Sequence, residues 1–354
     1  MDQPTDPNSS NRDAYPPLPA DDSFSPASAQ AQAKVDLLIK QVNEQIELLA
    51  FDDPNPALLR QMIQSLVDPR RAARISLVDS LSQIGEPATP FLLEGLSGHP
   101  EPVVRRACCN ALTNIGDETS VAGLVKALLE DADISVKSAA AGALAKVGAP
   151  AFDSICGVLA SPEVSESCKG HAAWAMATMS SEVSEKLYRV MNDPSPAVRT
   201  AVVGAIAQLA QKQLAAQAQA KTAAAQPTPP QQNTDQAQPP PTKPTKPAKT
   251  KPNEQANNTL SLLTEALSDP AADVRIEAAA HLARLNCQKA YQPLVACLKD
   301  PDWEVRKAAA LALGKLGNVE AIDAIAALKA DTETAVQRVA TLVLEQLEAQ
   351  ANQD

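Results

Sequence analysis

The chain is poor in aromatic residues, with four Phe, three Tyr and two Trp, and it has only 12 Gly among 354 residues. No stretch sustains the apolar–polar alternation of a half-buried strand, while Ala and Leu are abundant. This composition argues against sheets and points to an all-helical protein. No apolar run approaches the length of a membrane span, and the first thirty residues lack the basic-then-apolar order of a secretory signal. A soluble, cytoplasmic chain with no membrane insertion is expected. Positive charge is in deficit: the net charge of −11 argues against sequence-independent nucleic-acid binding, which neutralises phosphates. The six Cys, in a signal-free chain, read as reduced thiols rather than a disulfide framework.

Catalytic signatures are missing as well. The three His (His99, His171 and His281) are none of them followed by Glu, so no paired His-Glu set for a di-iron centre is present. No GxSxG elbow, phosphate-cradling Gly loop or Cys-Gly signature occurs. Cys168 and His171, at i and i+3, offer two ligands where a structural zinc site needs four, so no metal and no tightly bound cofactor is expected. No catalytic residue can be assigned from sequence chemistry.

What is present is a period. Arg74, Arg105, Lys137, Lys169, Arg199, Arg275 and Arg306 each stand six positions after an acidic column (Asp68, His99, Asp131, Glu163, Asp193, Asp269 and Asp300). Their spacings are 31, 32, 32, 30, 76 and 31 residues, and an eighth, degraded copy has Asp331 in phase but Gln337 for the basic residue. A fixed period in this range signals a solenoid of stacked supersecondary units. Each unit reads as a short helix A, an Asp-Pro-type turn and a helix B that ends at a column of Gly85, Gly116, Gly148, Ser180, Ala210, Asn286 and Gly317. Asp accepts backbone hydrogen bonds in such a turn, Pro suits a turn or first helical position, and Gly tolerates the positive φ of a helix stop. The expected fold is therefore an all-α solenoid of about eight helix pairs. The acidic–basic columns are expected to tie each turn to a neighbouring repeat rather than to do chemistry.

The expected organisation is a disordered tail over residues 1–30, then a capping helix and five repeats over 31–210. A Gln/Ala/Pro/Lys-rich linker follows over 211–258, and three repeats over 259–354. The first part of the linker is expected to extend helix B, and the second part to be a solvated, partly polyproline II loop insertion.

Counting from the basic residue, position +7 is apolar throughout (Leu81, Leu112, Leu144, Met176, Ile206, Leu282, Leu313) and reads as core. Positions +1, +5 and +9 share one helical face and read as the exposed stripe of helix B, which in such solenoids lines the concave side. Trp174 holds position +5, where its counterparts are Asp79, Asn110, Gly142, Gly204, Ala280 and Leu311. Two readings stand: an aromatic anchor for a partner or flat ligand, or packing against an adjacent helix or the linker. Trp303 reads as interrepeat packing. The cysteines mostly fall in small apolar columns, where core packing is the default.

These columns resemble HEAT repeats of the short kind, with Asp300 to Gly317 the best match to Asp-Pro-x-x-x-Val-Arg-x-x-Ala-x-x-Ala-Leu-x-x-Leu-Gly. The short period and the segment Lys169-Gly170-His171-Ala172-Ala173-Trp174-Ala175 are most similar to the cyanobacterial phycobilin lyase-like proteins of the CpcE/CpcF and NblB types. That resemblance implies an α-solenoid that docks on phycobiliprotein subunits, handles phycocyanobilin as ligand and attaches or detaches it at a Cys of the substrate protein. It also implies a second lyase-like subunit as a partner. Trp174 would then stack the tetrapyrrole, with Arg106, Lys146, Arg284, Lys307 or Lys315 pairing its propionates and His171 moving protons. The long linker departs from the compact lyases. The alternative is a non-catalytic interaction scaffold or assembly adaptor. Deoxyhypusine hydroxylases, a second HEAT family, are excluded by the missing His-Glu pairs.

Overall fold

The computed structural model describes residues 26–47, 55–225 and 252–351. The expected tail lies outside the described residues up to position 25, and so does the Pro/Lys-rich part of the linker, residues 226–251. Helix α1 spans Pro26–Glu47, and eight helix pairs follow. The first members are α2 (Pro56–Ser65), α4 (Thr89–Gly98), α6 (Val121–Glu130), α8 (Phe152–Ala160), α10 (Ser184–Val190), α12 (Pro252–Glu265), α14 (Tyr291–Cys297) and α16 (Ile322–Ala326). The second members, the B helices, are α3 (Arg71–Ile84), α5 (Pro102–Ile115), α7 (Ile134–Val147), α9 (Glu166–Thr178), α11 (Pro196–Ala225), α13 (Ala272–Arg284), α15 (Trp303–Leu316) and α17 (Thr334–Ala351). Each B helix packs on the next one along the stack, including α11 on α13.

Core and surface follow the columns. All seven +7 side chains are fully buried, at 0% exposure. All seven +9 side chains, from Gln83 to Lys315, are exposed. Most B helices stop at a residue of positive φ. Gly85, Gly116, Gly148, Asn286 and Gly317 all adopt positive φ, which ends α3, α5, α7, α13 and α15. Ala210 stands in the same column without that freedom, and α11 runs through it for fifteen further residues to Ala225. Ser180 also lacks positive φ and α9 nevertheless ends at Thr178, so Ala210 permits the extension of α11 without by itself imposing it.

The acidic–basic columns form bonded rungs. Arg105, Arg199, Arg275 and Arg306 each grip the carboxylate of the next repeat (Asp131, Asp269, Asp300 and Asp331) through two N–H donors at 2.7–2.8 Å. The third guanidinium nitrogen of each donates to two carbonyls of its own turn, such as Asp300 and Pro301 for Arg306. One planar fork thus closes its own turn and fastens the next, which a point-charge ammonium cannot do. Asp131, Asp193, Asp269, Asp300 and Asp331 also accept the N–H two residues ahead, and His99 does so through Nδ1 at 3.1 Å. That is why a His fits this acidic column. In the degraded copy, Gln337 keeps only the carbonyl half of the arrangement, on Asp331.

Two rungs are open. Lys137 turns to the Leu129 carbonyl at 2.9 Å and the Cys168 sulfur at 3.4 Å, and Lys169 pairs with Glu166 on its own helix. Asp193 therefore keeps its turn hydrogen bond but has no interrepeat partner among the described residues. Lys169→Arg should complete this rung and raise stability by about 1 kcal/mol, the size of a net hydrogen-bond gain. An unchanged or lower urea midpoint would count against it.

The complete rungs also set an acid limit. The Arg105 guanidinium holds the Asp131 carboxyl below the usual carboxylate range, and Arg306 does the same to Asp331. A folded pKa below the unfolded value of about 4 means that this stability is fully present above pH ~4 and is lost as pH falls through the lower folded values. The urea midpoint should therefore stay level from neutral pH towards about pH 5 and fall steeply below about pH 4. Asp131→Asn with Asp331→Asn should flatten that fall. An equally steep fall in the double variant would contradict the assignment.

Candidate functional surface

Helices α9, α11 and α13, with Lys315 from α15, enclose a groove of about 890 Å³. Side chains two repeats apart line one cavity, so the B-helix face is concave here. Its size matches that of ligand and peptide sites. The rim and floor follow from the columns. Trp174, 52% exposed, stands on α9, Gly170 and Gly204 leave room beside it, and Arg284 and Lys315 occupy +9 positions of α13 and α15. Trp174 therefore projects from the exposed stripe into the groove instead of being buried against a neighbouring helix.

The floor carries a polar array on α13. Glu277 accepts from His281 Nε2 at 2.7 Å, and Arg284 approaches His281 Nδ1 at 2.7 Å. Spacings of four and three residues put all three side chains on one face. The bond from His281 holds the Glu277 carboxyl below the usual range. His281 is buried, and a Cβ added at Gly204 of α11 would come within 3.7 Å of its Nε2. That distance is ordinary contact, so the imidazole packs against α11 at Gly204.

Of the residues expected in a site, the groove brings together Trp174, Arg284 and Lys315. His171 is not part of its lining; its Nδ1 lies 2.7 Å from the Ser167 carbonyl, one turn back on its own helix. Arg106 lines a separate depression between α3 and α5. Lys146 is exposed at the end of α7. Lys307 sits in an apolar pocket between α13 and α15, with its ammonium 4.7 Å from the centre of the Trp303 ring. Trp303 is partly buried against the core, as an interrepeat packing residue would be. Cys168 is buried on the Leu128 carbonyl, away from any role beside His171. Among the described residues no three His, Cys, Asp or Glu side chains converge as metal ligands.

Glu277 and His281 were not singled out as site residues by the column reading. The signal was available: at +6, the other copies hold Ser80, Ala111, Ala143, Ala175, Ala205 and Ala312, so His281 is a large polar residue in a small-residue column. The same comparison that isolated Trp174 at +5 isolates His281 at +6.

Among the described residues no single helix is long and apolar enough to cross a membrane. Family models for HEAT repeats match residues 89–166, 260–345 and 185–213, together more than half the chain. Among solved structures, human deoxyhypusine hydroxylase in complex with glycerol is similar at 18% identity over 82% of this chain and 96% of that one, with a TM-score of 0.31. The Escherichia coli protein YibA is similar at 16% identity over 94% and 99%, with a TM-score of 0.34. Yeast importin-beta is similar at 14% identity over 90% of this chain and 44% of its own, with a TM-score of 0.42. A comparison with curated proteins gives no match. The interlocking helix pairs and the matched repeats agree, and the chain is a HEAT-repeat protein.

Proposed function

We propose that this protein is an interaction scaffold whose concave B-helix groove docks a partner protein, with Trp174 as the anchor. The observation that carries this reading is Trp174 itself, a large aromatic left half exposed inside a groove of about 890 Å³. A half-exposed Trp in a concavity offers a partner a large apolar contact at little entropic cost, and such residues dominate binding energies. Extended concave surfaces are also what helical solenoids use to bind.

A second reading is favoured by the company Trp174 keeps. Arg284 and Lys315 line the same groove, so a planar, dianionic tetrapyrrole could stack on the indole and pair its propionates with both cations. In this finer form, which rests on the resemblance to phycobilin lyase-like proteins, the partner is a phycobiliprotein subunit and the ligand is phycocyanobilin. The chain's work would be attachment or detachment of the chromophore, with a second lyase-like subunit as helper. Arg106, Lys146, Lys307 and His171 have no part in this version, because none of them lines the groove.

Mixing the purified chain with phycocyanobilin and with phycobiliprotein subunits separates the two readings. A shifted visible band, with chromophore transfer or release, supports the bilin reading. Complex formation with the subunits but no band shift supports docking alone. Neither outcome with any subunit removes the phycobilisome reading altogether.

A further inference from the structure

The exposed stripe changes character along the stack. At +5 it reads Asp79, Asn110 and Gly142 on α3, α5 and α7, but Ala280, Leu311 and Leu342 on α13, α15 and α17. Leu311 is 50% exposed and Leu342 65% exposed, so the C-terminal row is an uncovered apolar ridge. A pocket of about 370 Å³ opens beside it, lined by Ile276, Ala280, Ala308 and Leu311 among others.

Basic residues flank this ridge on both sides. The +9 row supplies Arg284 and Lys315, and the +1 row supplies Lys307 and Arg338. No carboxylate occupies +1, +5 or +9 on these three helices. The acids nearest to it are Glu304, at the start of α15, the exposed Glu345, three residues after Leu342 on α17, and Glu277, already bonded to His281, so the four basic side chains still outnumber the carboxylates left unbonded. Lys315 and Arg338 form no ion pair among the described residues, and Lys307 is engaged only with the Trp303 ring. Two positive rows bounding an apolar ridge, on a chain of net charge −11, are a local inversion of the protein's own charge.

We infer that the face of α13, α15 and α17 binds an acidic amphipathic helix. Its apolar stripe would lie over Ala280, Leu311 and Leu342, and its Glu or Asp side chains would reach Arg284 and Lys315 on one flank and Lys307 and Arg338 on the other. Interhelical spacings of about 8–10 Å put the ridge at about 20 Å, which a helix of about thirteen residues spans at 1.5 Å per residue. Apolar anchors at i, i+3, i+4 and i+7 with charged flanks are the usual pattern for a helix held in a groove. The inference rests on the reading of the B-helix face as a docking surface and adds the chemistry of the partner.

The test uses the full chain and two fluorescein-labelled peptides of about sixteen residues. Both carry Leu at i, i+4, i+7 and i+11; one has Glu on the flanks and the other has Lys. The Glu peptide should bind at least tenfold more tightly than the Lys peptide and weaken as salt is raised. Leu311→Asp, and separately Lys307→Glu with Lys315→Glu, should each lower affinity at least tenfold while the urea midpoint holds. No binding, equal binding of the two peptides, or binding unmoved by these variants overturns the inference. Peptide binding lost in Trp174→Ala but unmoved by the α15 variants keeps the docking surface and removes this partner chemistry. Dimerisation abolished by Leu311→Asp, without peptide binding, assigns the face to a second copy and also overturns it.

Discussion

Arg199→Ala is expected to cost about 3–5 kcal/mol, the usual penalty for leaving a buried charge without its partner. Arg199 is only 8% exposed, and its two bonds to Asp269 are each 2.8 Å. Removing the guanidinium strands the Asp269 carboxylate and also frees the Asp193 and Pro194 carbonyls. The position matters as much as the bond. In the other complete rungs the two partners are 25 or 26 residues apart in sequence, whereas Arg199 and Asp269 are 70 apart. Chain connectivity therefore does least to hold these two repeats together. Beside this rung stand the hydrogen bonds of Thr259 with Tyr188 and Gln213, and the packing of α11 on α12 and α13.

Solenoid stability is close to a sum of repeat and nearest-neighbour interface terms, so a weakened interface should show itself as lost cooperativity. The two tryptophans report the two sides separately: Trp174 on α9 before the insertion, Trp303 on α15 after it. In Trp174→Phe and Trp303→Phe backgrounds, the urea transitions should coincide with Arg199 in place and separate in Arg199→Ala. Coincident transitions, with a loss under about 1 kcal/mol, would show that this interface does not depend on the rung.

Most of the fold was legible because a column averages over seven copies. A single Leu at +7 says little, but seven apolar residues there left no choice of face, and all seven are buried. The Asp–Arg columns likewise pointed to a tie between turns. What the columns could not carry was the difference between Arg and Lys. Both satisfy a basic column, yet the guanidinium fork completes a rung wherever the next repeat presents an Asp, and the ammonium groups of Lys137 and Lys169 turn elsewhere. The site was legible in part for a related reason. A column tells which way a side chain faces but not which repeats curve onto one another, so Arg106 and Lys146 shared Trp174's face without sharing its groove. The polar array on α13 packs against Gly204 of a different helix, a relation that no single column contains.

Trp174→Ala is expected to leave folding nearly untouched and to weaken docking about thirtyfold or more, the effect of losing a central anchor worth about 2 kcal/mol. The two halves of this expectation have separate causes. Stability should change by about 0.5 kcal/mol or less, because an exposed side chain away from caps, rungs and core contributes little. The neighbouring core at Ala172, Ala175 and Met176 is complete without it. Affinity should fall because the indole is the one large aromatic lining the groove. Trp174→Phe should recover part of the binding, since a smaller ring still stacks, whereas Trp174→Leu should recover less with a planar ligand than with a protein. Titrating phycobiliprotein subunits and phycocyanobilin against the three variants, alongside urea denaturation, reads both quantities. A large fall in the urea midpoint with affinity unchanged would place the indole's energy in packing. A fall in affinity common to Ala, Leu and Phe, at constant midpoint, would place it in the indole itself, through the extent of its ring or its N–H.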